Sequence, residues 1–153
     1  MMDDIKALRE KTGAGIMDAK KALLEANGVM AEAEKILREK GLVKAEKKAE
    51  RNTGSGRVFC YTHVTGKVGA MIEMACETDF VAENEEFAKL CKEIAMQVAS
   101  MEPKNLEELL AMEYIRDGSK KVDDLVKELI AKTGENMKIV RFVRYELGEE
   151  SSI

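Results

Sequence analysis

Cys60 and His63, in the run Cys60-Tyr61-Thr62-His63, are the first residues that could do chemistry. A thiolate and an imidazole at this spacing suggest a metal ligand pair. His63 is the only histidine in the 153 residues. The surrounding segment alternates like a strand, however, and on a strand residues an odd number apart face opposite sides. Cys76 adds no second close pair. No metal is expected. A second candidate is Thr12-Gly13-Ala14-Gly15 followed by Lys20-Lys21, which has the flavour of a phosphate loop. It lacks the Gly-x-x-x-x-Gly-Lys-[Ser/Thr] spacing, and no strand precedes it. It reads as a helix–helix turn whose glycines allow tight geometry. No nucleotide or other cofactor is expected on this chain.

The third candidate is Cys76-Glu77-Thr78-Asp79-Phe80-Val81-Ala82-Glu83-Asn84. Asp79 has no partner placed for acid–base work and can serve as a capping residue. Phe80 is one of only four phenylalanines, and it falls at a chain reversal. It can be a plug under the preceding hairpin or a wedge pointing outward. Ile16 and Met17 pose a similar choice. Adjacent helical residues point about 100° apart, so both are hard to bury in a small bundle. They are core plus edge, or an exposed apolar pair in which Met adapts to a partner. The three cysteines sit in apolar patterns, and an odd number reads as buried thiols rather than a disulfide framework.

The elements that must position these residues follow from periodicity. Ile5 and Leu8 mark a first helix, Met17, Ala22, Leu23 and Ala26 a second, and Ala33, Ile36 and Leu37 a third that ends at Gly41. The charged stretch 44–52 reads as a solvated helical tail, and Thr53-Gly54-Ser55-Gly56 as a flexible hinge. A domain boundary is placed there: residues 1–52 form a three-helix bundle with its linker, and residues 53–153 a core domain.

In that domain Val58, Cys60, Thr62 and Val64 share one strand face, with Phe59, Tyr61 and His63 on the other. Thr65-Gly66-Lys67 turns the chain into a second strand that aligns Val68, Ala70, Ile72, Met74 and Cys76. Asn84 caps a helix with Phe87, Leu90, Cys91, Ile94 and Val98 inward, which ends at Pro103. Asn105 and Glu108 resemble a capping box for a short helix through Met112. A further helix carries Val122, Leu125, Val126, Leu129 and Ile130 to Gly134. The last strand points Ile139, Val143 and Leu147 inward, with Val140 and Phe142 opposite. The fold class expected is α+β: a three-helix bundle, then a three-stranded antiparallel sheet with helices on one face. Phe59, Tyr61, Met71 and Phe142 are expected on the uncovered face, and a second copy of the chain is the simplest cover.

Composition limits the functions. The hydrophobic fraction of 45% supports a real core. Net charge is −4 with no Trp, so direct nucleic-acid binding is not expected. Residues 1–52 hold 12 Lys and Arg against 10 Asp and Glu, and the rest 13 against 19, which suggests two modules with different surfaces. No apolar run approaches a membrane span. The opening MMDDIKALRE is acidic, unlike a secretory signal, so the expected compartment is the cytoplasm and no membrane is a partner.

The segments LREKTGAGIMDAKKAL (8–23) and GKVGAMIEMACETDFVAENEEF (66–87), separated by KAEKKAERN, closely resemble the bacterial elongation factor Ts family. KTGENMKIVRFVRYELGE (132–149) also resembles the family's strand near the end of a core module. The resemblance implies a non-enzymatic guanine-nucleotide exchange factor whose partner is elongation factor Tu. It implies a ubiquitin-associated-like N-terminal bundle that packs on the partner's GTPase domain through Ile16 and Met17, flanked by Arg9 and Lys20. It implies that Thr78, Asp79, Phe80 and Val81 contact the partner beside its nucleotide site, with the Phe wedging in and promoting loss of magnesium. Longer members carry two core modules, and some a helical hairpin. Only one module is read here, and short members associate through their sheets, so a homodimer is expected. A helical protein–protein adaptor using the N-terminal bundle alone is the alternative, and thiol chemistry at Cys60 or Cys76 ranks third.

Overall fold

The computed structural model describes residues 1–150. Helices α1 (Met2–Thr12), α2 (Ile16–Glu25) and α3 (Met30–Glu46) come first. Strands β1 (Ser55–Thr62) and β2 (Val68–Cys76) follow, then α4 (Asp79–Ala82), α5 (Glu85–Met101) and α6 (Leu106–Ala111). Short strands β3 (Glu113–Tyr114) and β4 (Asp117–Lys121) precede α7 (Val122–Thr133) and β5 (Met137–Glu146). The fold is α+β, with β1-β2-β5 as an antiparallel sheet and helices packed against it.

The helices begin and end where local chemistry dictates. Asp3 and Asp4 lie at the positive end of α1, Arg9 and Lys11 at its negative end. Gly13, at φ 69°, closes it by donating its N–H to the Arg9 carbonyl at 2.8 Å. Asn84 accepts the Glu86 N–H at 2.8 Å at the start of α5, and Asn105 accepts that of Glu108 at 2.8 Å at the start of α6. Phe87, Leu90, Cys91, Ile94 and Val98 are all buried, as their spacing requires.

The described residues form two apolar cores. Ile5, Leu8, Ala19, Ala22, Leu23, Ala26, Ala33 and Leu37 close the small one among α1–α3. The larger lies between the sheet and α4–α7, and Ala45 of α3 belongs to it. The third helix therefore does not stop at Gly41. It runs on to Glu46, and a Cβ on Gly41 would lie 3.1 Å from that of Ala131, so the bare glycine lets α3 lie close on α7. Arg38–Glu128 at 3.0 Å and Lys127–Glu46 at 3.1 Å brace the same contact.

The segment read as a solvated tail and hinge is tied down. The buried Asn136 amide donates to the carbonyls of Ala49 and Arg51 at 3.3 and 2.8 Å, and Arg51 pairs with Glu77 at 2.9 Å. Ser55 and Gly56 already belong to β1.

The sheet faces differ from simple alternation. Phe59 pairs with Ile72 and Tyr61 with Ala70, which turns both aromatics toward the helices and leaves Val58 and Cys60 outside. A bulge at Glu73/Met74 changes parity in β5: Ile139 is inside, but after the bulge Phe142 is inside and Val143 outside. Leu147 lies beyond the strand and is exposed. The outer face presents Val58, Cys60, Met71, Val143 and Tyr145, with a Glu73–Arg141 pair at 2.9 Å, and Val140 at the bulge is exposed as well. Of the residues expected there, Met71 remains.

The β3–β4 hairpin is an addition to the expected order. Buried Gln97 of α5 holds it, donating to the Glu113 carbonyl at 3.0 Å and accepting the Ile115 N–H at 3.0 Å. Tyr114 donates its hydroxyl to Glu93 at 2.6 Å.

Candidate functional site

The stretch after β2 is one helical turn rather than an open loop. Thr78 is extended, at φ −129°, and its hydroxyl oxygen accepts the Val81 N–H at 3.3 Å to start α4. The Ala82 N–H returns to the Thr78 carbonyl at 3.1 Å. The Thr78 N–H and hydroxyl both donate to Glu135, at 2.9 and 2.7 Å. The Ser55 hydroxyl donates to Asp79, so the acid is occupied in holding the turn to β1. The Cys76 thiol donates to the Thr78 carbonyl at 3.2 Å.

Successive residues on this turn point about 100° apart. Val81, 5% exposed, and Ala82 enter the large core, whereas Phe80 is 84% exposed. The plug of the hairpin is thus Val81, and Phe80 is the wedge-like group. Val81 was expected among the partner contacts, yet its side chain is taken up by the core. Thr78 and Asp79 lie at the surface beside Phe80.

The second apolar site is at the start of α2. Ile16 is 57% and Met17 62% exposed, while the next inward residues, Ala19, Ala22 and Leu23, fill the small core. Arg9 donates to the Ala14 carbonyl at 3.3 Å, and Lys20 is exposed. The first two N–H groups of the Gly13 turn are already engaged within the chain. That of Gly13 is bonded to Arg9, and that of Ala14 goes to the Thr12 hydroxyl at 3.3 Å.

Lys132 of α7 links the Gly13 turn, which precedes α2, to the start of α5. It pairs with Glu86 in the first turn of α5, four residues after α4 ends. A Cβ on Gly13 would lie 2.7 Å from the Lys132 Cγ, so only glycine at φ 69° fits against that side chain.

The remaining candidates stay apart. Cys60 is exposed on the outer sheet face, contrary to the expectation of three buried thiols. His63 lies just past β1, its Nδ1 3.0 Å from the Thr65 hydroxyl. Among the described residues, no group of three or more His, Cys, Asp or Glu side chains could hold a metal ion, and no helix is long and apolar enough to cross a membrane. Burial, then the nearby Glu135 carboxylate, pushes the Cys76 thiol pKa up, and burial pushes that of Cys91 up to about 12. Both are therefore poor nucleophiles.

Sequence reasoning missed Glu135 and Asn136. The only signal was polar residues in the short Thr133–Asn136 connection, and nothing in it named Thr78 as a partner.

A family model described as elongation factor TS matches residues 77–153. The chain is 44% identical to elongation factor Ts of Thermotoga sp. (strain RQ2), over 97% of this chain and 96% of that protein. It is 43% identical to elongation factor Ts of Thermoanaerobacter sp. (strain X514), over 95% and 93%. For elongation factor Ts of Leptospira biflexa the figures are 41%, 95% and 96%. The first alignment spans 191 positions and this chain has 153 residues, so the relative carries residues with no counterpart here.

Proposed function

The chain belongs to the elongation factor Ts family, and from that premise we propose that Phe80 is the group by which it opens the nucleotide site of its partner. It is a guanine-nucleotide exchange factor for elongation factor Tu, and not a catalytic enzyme. The observation that carries the reading is the 84% exposure of Phe80 on a turn fixed by Glu135, Ser55 and the buried Val81. A large aromatic in water that supports no packing of its own chain is suited to anchor a partner. Rigidity reduces the ordering cost of docking.

Magnesium requires near-ideal octahedral geometry and bridges nucleotide phosphates. Displacing the partner loops that hold it weakens GDP without any contact between this chain and the nucleotide. The factor must only bind the nucleotide-free partner better than the loaded one, and linkage then makes incoming nucleotide weaken the factor in return. Thr78 and Asp79 flank the wedge, and Val81 acts from within as its anchor. Residues 1–52 supply a second docking surface through Ile16 and Met17, with Arg9 and Lys20 beside them. Lys132 ties the turn before that surface to the first turn of α5. Both docking surfaces act in the cytoplasm, where elongation takes place.

Residues 53–153 carry the association of two copies. The uncovered sheet face presents Val58, Met71, Val143 and the 75%-exposed Tyr145, a surface suited to the same face of a second chain. Sedimentation at micromolar concentration is expected to give a dimer mass, and a monomer mass would end that part of the proposal.

Stopped-flow release of a fluorescent GDP from elongation factor Tu tests the exchange mechanism. Phe80→Ala is expected to lose most of the acceleration. A rate equal to wild type would overturn it, and would favour an adaptor that docks through the N-terminal bundle alone.

A further inference from the structure

The last turn of α7 and the connection from it to β5 touch several distant segments of the chain. Lys132 faces the Gly13 turn and pairs with Glu86. Asn136 holds the linker carbonyls of Ala49 and Arg51, and its N–H donates to Glu77 at 2.7 Å. Between them stands Glu135. Both its oxygens are engaged by one residue 57 positions away: Oε1 accepts the Thr78 N–H and Oε2 the Thr78 hydroxyl.

This two-point grip has a geometric consequence. One hydrogen bond leaves a residue free to pivot, whereas two from a planar carboxylate fix the peptide plane and the hydroxyl together. The Thr78 hydroxyl proton is directed to Glu135, which leaves its lone pairs for the Val81 N–H at 3.3 Å. Glu135 therefore sets the rotamer of the residue that starts α4, and α4 sets the direction of Phe80. Val81 fixes the depth of the turn, and Ser55 tethers Asp79 from the β1 side. Glu135 is the constraint on the rotation of the turn about its entry.

We propose that Glu135 is a positioning residue for nucleotide exchange: it aims the Phe80 turn through Thr78 rather than through a contact of its own with the partner. The inference rests on the reading of Phe80 as the docking group. A carboxylate that only stabilised the fold would be interchangeable with any other source of stability. One that aims the turn controls the fast motion of residue 80 and the maximal exchange rate.

The chain has no tryptophan, so Phe80→Trp places a single reporter at the tip. In that background, Glu135→Ala is expected to lower the indole's fluorescence anisotropy, which reads nanosecond motion. In the natural background, Glu135→Ala is expected to lower the maximal rate of GDP release roughly tenfold to a hundredfold, the scale of lost positioning. The half-saturating concentration should move much less, because the Ile16–Met17 surface is untouched. Glu135→Gln keeps one acceptor for Thr78 and should recover much of both signals. Asn136→Ala, which frees the linker carbonyls instead, should lower the melting temperature with anisotropy unchanged. All rates are taken well below each variant's unfolding transition. Wild-type release and anisotropy in Glu135→Ala would overturn the proposal, as would anisotropy that falls equally in Asn136→Ala. If Phe80→Ala slows release and Glu135→Ala does not, positioning alone fails. If Phe80→Ala itself leaves release unchanged, the docking reading fails and this inference with it.

Discussion

Phe80 and Val81 are adjacent in sequence and opposite in role, and truncating each to alanine should separate function from stability. Val81 is 5% exposed and sits in the large core. Removing its two methyl groups forfeits about 0.8 kcal/mol each in transfer free energy. The void adds to this, for a loss of about 2–3 kcal/mol. Phe80 is 84% exposed, so Phe80→Ala should change folding stability by less than about 0.5 kcal/mol. Exchange should show the reverse order. An aromatic anchor is worth about 2–4 kcal/mol of binding, or a roughly thirtyfold to several-hundredfold loss in exchange efficiency. Val81→Ala, which keeps the Thr78 cap and the Glu135 grip, should lose a few-fold at most. Urea unfolding followed by far-ultraviolet circular dichroism gives the stabilities. Stopped-flow GDP release gives the rates. The reasoning is refuted if Phe80→Ala unfolds more than 1 kcal/mol more easily, because the ring would then be packed. It is equally refuted if Val81→Ala leaves stability unchanged.

Three further outcomes follow from the same contacts. Burial, followed by the Glu93 carboxylate, raises the Tyr114 pKa to about 12. The neutral phenol is favoured by folding, so this contribution is complete below about pH 10, the unperturbed value, and is lost as pH rises toward the folded value. The ultraviolet titration difference between wild type and Tyr114→Phe should show that late transition, and a difference centred near pH 10 would contradict it. Cys60 is exposed while Cys76 and Cys91 are buried. A thiol reagent should therefore label one cysteine quickly and two only on unfolding, and Cys60 labelling should slow with protein concentration if the outer sheet faces associate. At Gly41, 3.1 Å from the Ala131 Cβ by way of an added Cβ, Gly41→Val should force α3 off α7 and cost about 1–3 kcal/mol in thermal unfolding. An unchanged melting temperature would show that the helices yield freely.

Local pieces of the fold were legible in the residues alone. Period and capping chemistry located the helices around Leu8, Leu23, Leu37, Ile94 and Val126, because such signals act within a few residues. Asn84 and Asn105 cap as their side chains require. The family resemblance pointed to the Thr78–Val81 turn and the Ile16–Met17 pair as expected partner contacts. Other features depended on long-range geometry. Strand alternation divides residues into two sets but does not say which set meets the helices. The register Phe59↔Ile72 and the bulge opposite Glu73/Met74 decided that, exchanging Phe142 and Val143. Gly41 looks like a stop, and it is a stop only where no helix needs the space; Ala131 supplied the reason to continue. The polar stretch before Lys121 shows no periodicity, and buried Gln97 anchors its hairpin by bonding Glu113 of β3 and Ile115 in the turn. The choice between plug and wedge at Phe80 was decided in the same way. Pattern offered either, since Phe80 and Val81 are both apolar neighbours on one turn. Only the grip of Glu135 and the room in the core for Val81 fixed the rotation of that turn, and with it which side chain faces water.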